Sequence, residues 1–175
     1  MIRAEAARIL HVNDEWRGCG MGFRVSGLDR DEFVSLFGLS DAQLRERDIV
    51  RRVADKRPGF PCRVSLQDAQ PGETLLLLNY EHLAVASPYR ARHAIYVREN
   101  AQTATPAANE VPDVLRTRLL SLRAYDRAGM MVEADVVDGS DVESVIERVL
   151  AEPNVEFIHV HNAKPGCFAA RIDRA

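Results

Sequence analysis

The chain has 175 residues, 46% of them hydrophobic, which suits one substantial core and one domain. Its 23 basic and 26 acidic side chains are interspersed and leave a formal net charge of −3. A pI near 6.0 argues against a dedicated nucleic-acid binder, which shows a basic footprint. Apolar runs such as Leu75 to Leu78 are far short of the ~20 residues that span a bilayer, and the N-terminus lacks the apolar stretch of a secretory signal. Cys19, Cys62 and Cys167 are odd in number and widely spaced, with no Cys-x-x-Cys pair. Reduced thiols and a cytoplasmic location are expected, rather than a disulfide framework or a zinc ribbon.

Residues 1–20 lack a periodic apolar face, and Met21 opens a segment like a fresh start. They read as a non-native or disordered leader, and residues 21–175 as a single α+β domain. Phe23, Val25 and Leu28 suggest a short strand. Asp29-Arg30-Asp31-Glu32 has the form of an N-cap with an acid three residues on, predicting a helix that ends at Gly38. Ser40-Asp41-Ala42-Gln43 is a second such box. Ile49 to Ala54 forms a candidate strand, Pro58-Gly59-Phe60-Pro61 a turn, and Cys62-Arg63-Val64-Ser65 an extended piece leading to a turn at Pro71-Gly72.

Thr74 to Tyr80 is apolar on both faces, as a covered central strand would be. His93 to Arg98 is a strand by its β-branched and aromatic content. Ala101 to Val111 reads as a loop, with Pro112 placed to open a short helix. Leu119 to Tyr125 and Met130 to Val137 flank Asp126-Arg127-Ala128-Gly129, a hairpin connection. Ser140-Asp141-Val142-Glu143 has the spacing of a capping box, followed by Val142, Val145, Ile146 and Val149 at helical intervals as far as Pro153. Val155 to His161 and Cys167 to Ile172 are strands around the turn Ala163-Lys164-Pro165-Gly166. The C-terminal half is therefore β-β-α-β-β. Its hairpins demand antiparallel pairing, so the fold class is α+β with a mostly antiparallel sheet and a few short helices.

Several segments taken together carry a resemblance. They are Pro58 to Leu66, Leu77-Leu78-Asn79-Tyr80-Glu81-His82, Ser87-Pro88-Tyr89-Arg90, His159 to Phe168, and Arg171-Ile172-Asp173-Arg174. In this order they resemble a bacterial family of uncharacterised proteins, the domain of unknown function 1203, over about residues 21 to 175. The resemblance implies a domain that begins near Met21 and occurs alone. It assigns no catalytic residue.

Three constellations could carry chemistry. His159 and His161 point to one face of a strand, and Cys167 follows across a tight turn, which offers three ligands to a first-row metal that Cys62, His82 or His93 would complete. Cys62 follows a rigid turn beside Arg63, a setting for an activated thiol with a histidine such as His93 as base. Tyr89-Arg90-Ala91-Arg92-His93 and Arg98 supply guanidinium forks suited to carboxylate or phosphate, with Arg123 and Arg171 on neighbouring strands. The first expectation is a domain holding a small anionic molecule through Cys62, Arg63, Arg90, Arg92, Arg98 and His93. The alternatives are a transition-metal site at His159, His161 and Cys167, and an interaction module without catalysis. Phosphate-binding glycine loops, a nucleophile elbow and a His-Glu-x-x-His helix are all missing from the sequence.

Overall fold

The computed structural model describes residues 22–175, so the leader expected over residues 1–20 lies outside the described residues. The chain runs through β1 (Phe23–Ser26), two 3-10 turns, α1 (Asp41–Arg45), β2 (Val50–Val53), β3 (Pro61–Cys62), β4 (Gln67–Asp68), β5 (Thr74–Leu83) and β6 (Ala91–Arg98). It continues through α2 (Asp113–Arg116), β7 (Leu119–Tyr125), β8 (Met131–Asp138), α3 (Val142–Leu150), β9 (Phe157–Asn162) and β10 (Phe168–Arg174). No helix among the described residues is long and apolar enough to cross a membrane.

The strands form two five-stranded sheets, ordered β1-β10-β9-β7-β8 and β2-β5-β6-β3-β4. Every pairing is antiparallel except the short β3–β6 contact. The α+β class and the C-terminal β-β-α-β-β unit are as the sequence implies. The division into two sheets was not legible, because strand signals identify strands and not their neighbours.

Each sheet buries one face under its own short helices. On the first, Val142, Ile146, Val149 and Leu150 of α3 pack against Leu120 and Leu122 of β7, Ile158 and Val160 of β9, and Ile172 of β10. On the second, Phe33, Leu44 and Ile49 cover Leu76, Leu78, Ile95 and Val97. Alternation along β9 then commits Phe157, His159 and His161 to the face away from α3. That face meets the second sheet.

The two sheets are tied by buried polar contacts. Arg63 Nε donates to the Phe168 carbonyl at 2.7 Å, and Arg118 Nη2 holds both oxygens of Asp68 at 2.7 and 2.8 Å. The second pair is nearly enclosed, so losing either partner would strand a charge.

Local signals were realised unevenly. The Ser40–Gln43 box is formed in both directions, and Gly38 and Gly129 take the positive φ expected of a helix end and a hairpin. The helix expected after Asp29 is only a pair of 3-10 turns, Arg30–Glu32 and Val34–Leu36, although Asp29 does cap the first. The box at Ser140–Glu143 does not form. Asp138 instead accepts from Ser140 N, and Gly139–Asp141 make a 3-10 turn before α3 begins at Val142. Gly139 fixes this outcome: its N–H donates to the Arg118 carbonyl at 2.8 Å, and a Cβ there would lie 2.1 Å from the Leu115 carbonyl oxygen. Pro112 is the residue before α2, not its first residue.

Candidate functional site

Four of the five histidines converge where the sheets face each other. His159 and His161 come from β9, His82 from the end of β5, and His93 from β6. The register of β9 against β7 sets Arg123 beside His159 and Tyr125 beside Phe157. A register shift in the β5–β6 pairing between Tyr80 and Leu83 falls at His82. Such irregularities re-aim side chains that alternation alone would send elsewhere.

The geometry is close. His82 Nδ1 lies 3.2 Å from His159 Nδ1, and one ring nitrogen from each of His82, His159 and His161 falls within a group spanning 4.8 Å. His93 stacks on His82 at 4.6 Å between centroids and meets the edge of His161 at 5.2 Å. Phe168 closes the opposite side, stacked on His82 at 4.8 Å and edge-on to His159 at 5.0 Å. His159 is 2% exposed and His161 fully buried.

Burial decides the charge of this cluster. It drives the pKa of His159 down to about 2, His161 to about 3 and His82 to about 4, and it lowers that of His93 as well. Repulsion within the set adds to the effect on His82, His159 and His161, and Arg123 to that on all four. The imidazoles are therefore neutral at physiological pH, the form that ligates metals.

Hydrogen bonding then selects the atoms. His161 Nδ1 sits 3.1 Å from the Gly166 carbonyl oxygen, which can only accept, so Nδ1 carries the proton and Nε2 presents a lone pair. That Nε2 is buried and has no partner, as are His82 Nε2 and His93 Nδ1. An imidazole whose second nitrogen donates to a backbone carbonyl is the usual support for a metal ligand. Zinc at about 2.0–2.1 Å from tetrahedral nitrogens would place those nitrogens about 3.3 Å apart. The His82 Nδ1–His159 Nδ1 pair already has that separation, as a contact in which one ring donates to the other in the metal-free protein, and the third nitrogen lies within the 4.8 Å group. Among the described residues no other group of metal-ligating side chains is this compact.

Cys167 does not join this group. Its Sγ accepts from Arg63 Nη2 at 3.0 Å and from Asn162 Nδ2 at 3.4 Å. It lines a cavity of about 690 Å³ together with Arg63, His93, Tyr96, Arg118, Asn162 and Lys164. His93 is thus the residue shared by the histidine cluster and the cavity wall.

The remaining candidates are dispersed. Cys62 is buried in the apolar core under the short helices, and its sulfur accepts backbone N–H groups from Arg98 at 3.2 Å and Ser65 at 3.5 Å. Strand alternation separates it from Arg63, which turns towards the cavity. Arg90 is paired with Glu81, Arg92 Nε donates to Asn79 at 3.0 Å, and Arg98 Nη1 holds Glu73 at 2.9 Å. None of these four residues lines the cavity that holds His93. Arg171 is pinned by Asp173 and lies over the Phe157 ring at 4.0 Å. Sequence spacing flagged His159 and His161 as a pair. It gave no sign that Phe168 would cover them, or that Asn162 would present a buried, unpartnered Oδ1.

Comparison with known proteins adds a family and no activity: no curated protein and no solved structure matches the chain. The model of one family, described as "Protein of unknown function (DUF1203)", matches residues 59–174, which include all four clustered histidines, and the chain belongs to that family.

Proposed function

We propose that this protein binds a first-row transition metal ion through His82, His159 and His161, with an open position that takes a small anionic ligand. The observation that carries the reading is the His161 Nε2 lone pair. It is buried and unpartnered, fixed as an acceptor by the Nδ1–Gly166 contact, and belongs to a histidine group spanning 4.8 Å. A buried acceptor left bare costs about 1–3 kcal/mol, which a bound cation would offset.

Three protein ligands with a vacant position is the pattern of a reactive metal site, whereas closed structural sites use four. All three ligands are neutral and Arg123 is adjacent, so a divalent ion would keep its full charge. An exogenous anion, hydroxide or carboxylate, is therefore favoured as the fourth ligand. In this reading the expected anion is a ligand of the metal, and Arg90 pairs with Glu81, Arg98 with Glu73, while Arg92 Nε donates to Asn79. A bound metal of this kind would supply Lewis acidity. The chain itself would hold three imidazoles in one tautomeric arrangement, and Phe168 would exclude water from their faces.

The test is elemental analysis of protein purified without chelators, followed by titration of apo protein with zinc and cobalt. Up to one equivalent is expected, with a cobalt absorption spectrum of low-symmetry nitrogen coordination, and His161→Ala should lose both. Apo protein that takes up none of the first-row ions at micromolar concentration, while remaining folded, would overturn the reading.

A further inference from the structure

We infer that Cys167 is a reactive thiol in the wall of the cavity, poised by Arg63 to add to small, largely apolar carbon electrophiles of the activated-alkene class. The inference is independent of the metal reading, since it uses none of the three ligand histidines.

The starting point is a charge without a counter-charge. Arg63 is 3% exposed, and among the described residues no carboxylate pairs with it. A guanidinium stays protonated even when buried, so the structure must supply compensation. Nε is taken by the Phe168 carbonyl at 2.7 Å and Nη1 by the Pro61 carbonyl, which are only dipoles. Nη2 donates to Cys167 Sγ at 3.0 Å. Of the three acceptors only the sulfur can become an anion, and Asn162 Nδ2 adds a second donor at 3.4 Å.

The surroundings point to a ligand. Asn162 is 7% exposed, lines the cavity, and its Oδ1 is buried without a partner, so an incoming N–H or O–H would satisfy it. Leu77, Tyr96, Leu119 and Pro165 give the cavity mainly apolar walls, and about 690 Å³ is within the range of small-molecule sites. Cys167 is partly exposed there, whereas Cys62 is 1% exposed in a separate apolar core.

In the reaction the ionised sulfur attacks the β-carbon of the alkene and a C–S bond forms. The C=C π pair shifts to the bond between the α-carbon and the carbonyl carbon and the carbonyl π pair onto oxygen, giving an enolate whose α-carbon takes a proton from water and so replaces the one the thiol released. No oxidant or reductant is needed.

The full-length chain is treated at pH 7 with limiting N-ethylmaleimide, quenched, and mapped by peptide mass spectrometry, so that Cys19, Cys62 and Cys167 are read separately. Cys167 is expected to label at least tenfold faster than free glutathione under the same conditions, with Cys62 essentially untouched. Arg63→Gln should bring the rate down to that of glutathione, and Arg63→Lys should restore part of it. If the Arg63 variants do not fold, the wild-type rate of Cys167 labelling at pH 7, set against glutathione and against Cys62, decides. Labelling of Cys62 ahead of Cys167, or a Cys167 rate like that of glutathione, overturns the inference.

Discussion

Acidification from pH 7 to pH 5 should destabilise the metal-free protein by an amount traceable to His159 and His161. In the unfolded chain these imidazoles titrate near 6.5, whereas in the fold burial holds His159 at about 2 and His161 at about 3. Over this interval the native state takes up almost no proton at either site, while each unfolded imidazole goes from about one quarter to almost fully protonated. Stability is therefore full above pH 6.5 and is lost as the pH falls, continuing towards the folded values. Each residue contributes about 1.9 kcal/mol of loss between pH 7 and 5, independent of how far below 5 its folded pKa lies, so the pair gives about 4 kcal/mol, and the less buried His82 and His93, also lowered, add a further loss in the same direction.

Glu73, held low by the Gln70 backbone N–H, and Glu81, held low by Arg90, stay ionised throughout this interval. For a domain of this size the loss corresponds to a fall in melting temperature of roughly 10 °C. Chemical denaturation followed by circular dichroism at pH 7, 6 and 5, in chelator, measures it directly. A change below about 1 kcal/mol would mean that the imidazoles are solvated or paired in a way the packing does not permit. His161→Gln should remove about 1.9 kcal/mol of the loss if that variant folds.

Four substitutions probe other parts of the account. Val149→Asp places a carboxylate at a 2% exposed position on the inner face of α3, and should lower stability by more than about 3 kcal/mol in a denaturant melt. Gly139→Ala pushes a Cβ to 2.1 Å from the Leu115 carbonyl oxygen, and should cost about 1–3 kcal/mol because two backbones must part. Phe168→Ala removes the ring that closes the histidine cluster; a loss of about 3–5 kcal/mol is expected, measured by the same melt. Arg92→Ala removes an exposed side chain that among the described residues is bonded only to Asn79, and should change stability by less than about 0.5 kcal/mol.

The sequence by itself determined the elements whose signals are local. Alternation over residues 157–162 put His159 and His161 on one face, and the turn glycines Gly129 and Gly166, both at positive φ, closed the two C-terminal hairpins. These properties depend on neighbours a few residues away, so a linear reading reaches them. The Ser140 box failed for the complementary reason: its spacing was right, but the close approach of Gly139 to the Leu115–Arg116 backbone selected a 3-10 turn.

Only the tertiary structure decided the site. His82 and His159 are 77 residues apart and reach 3.2 Å because two separately built sheets present their free faces to each other. The same packing drew Arg63 away from its chain neighbour Cys62 to Cys167, 104 residues on, and left Arg90, Arg92 and Arg98 with partners of their own. The residues that share a cavity are chosen by which faces are left uncovered once each sheet has buried its apolar side under its helices. That choice follows from global packing, and no short stretch of the chain carries it.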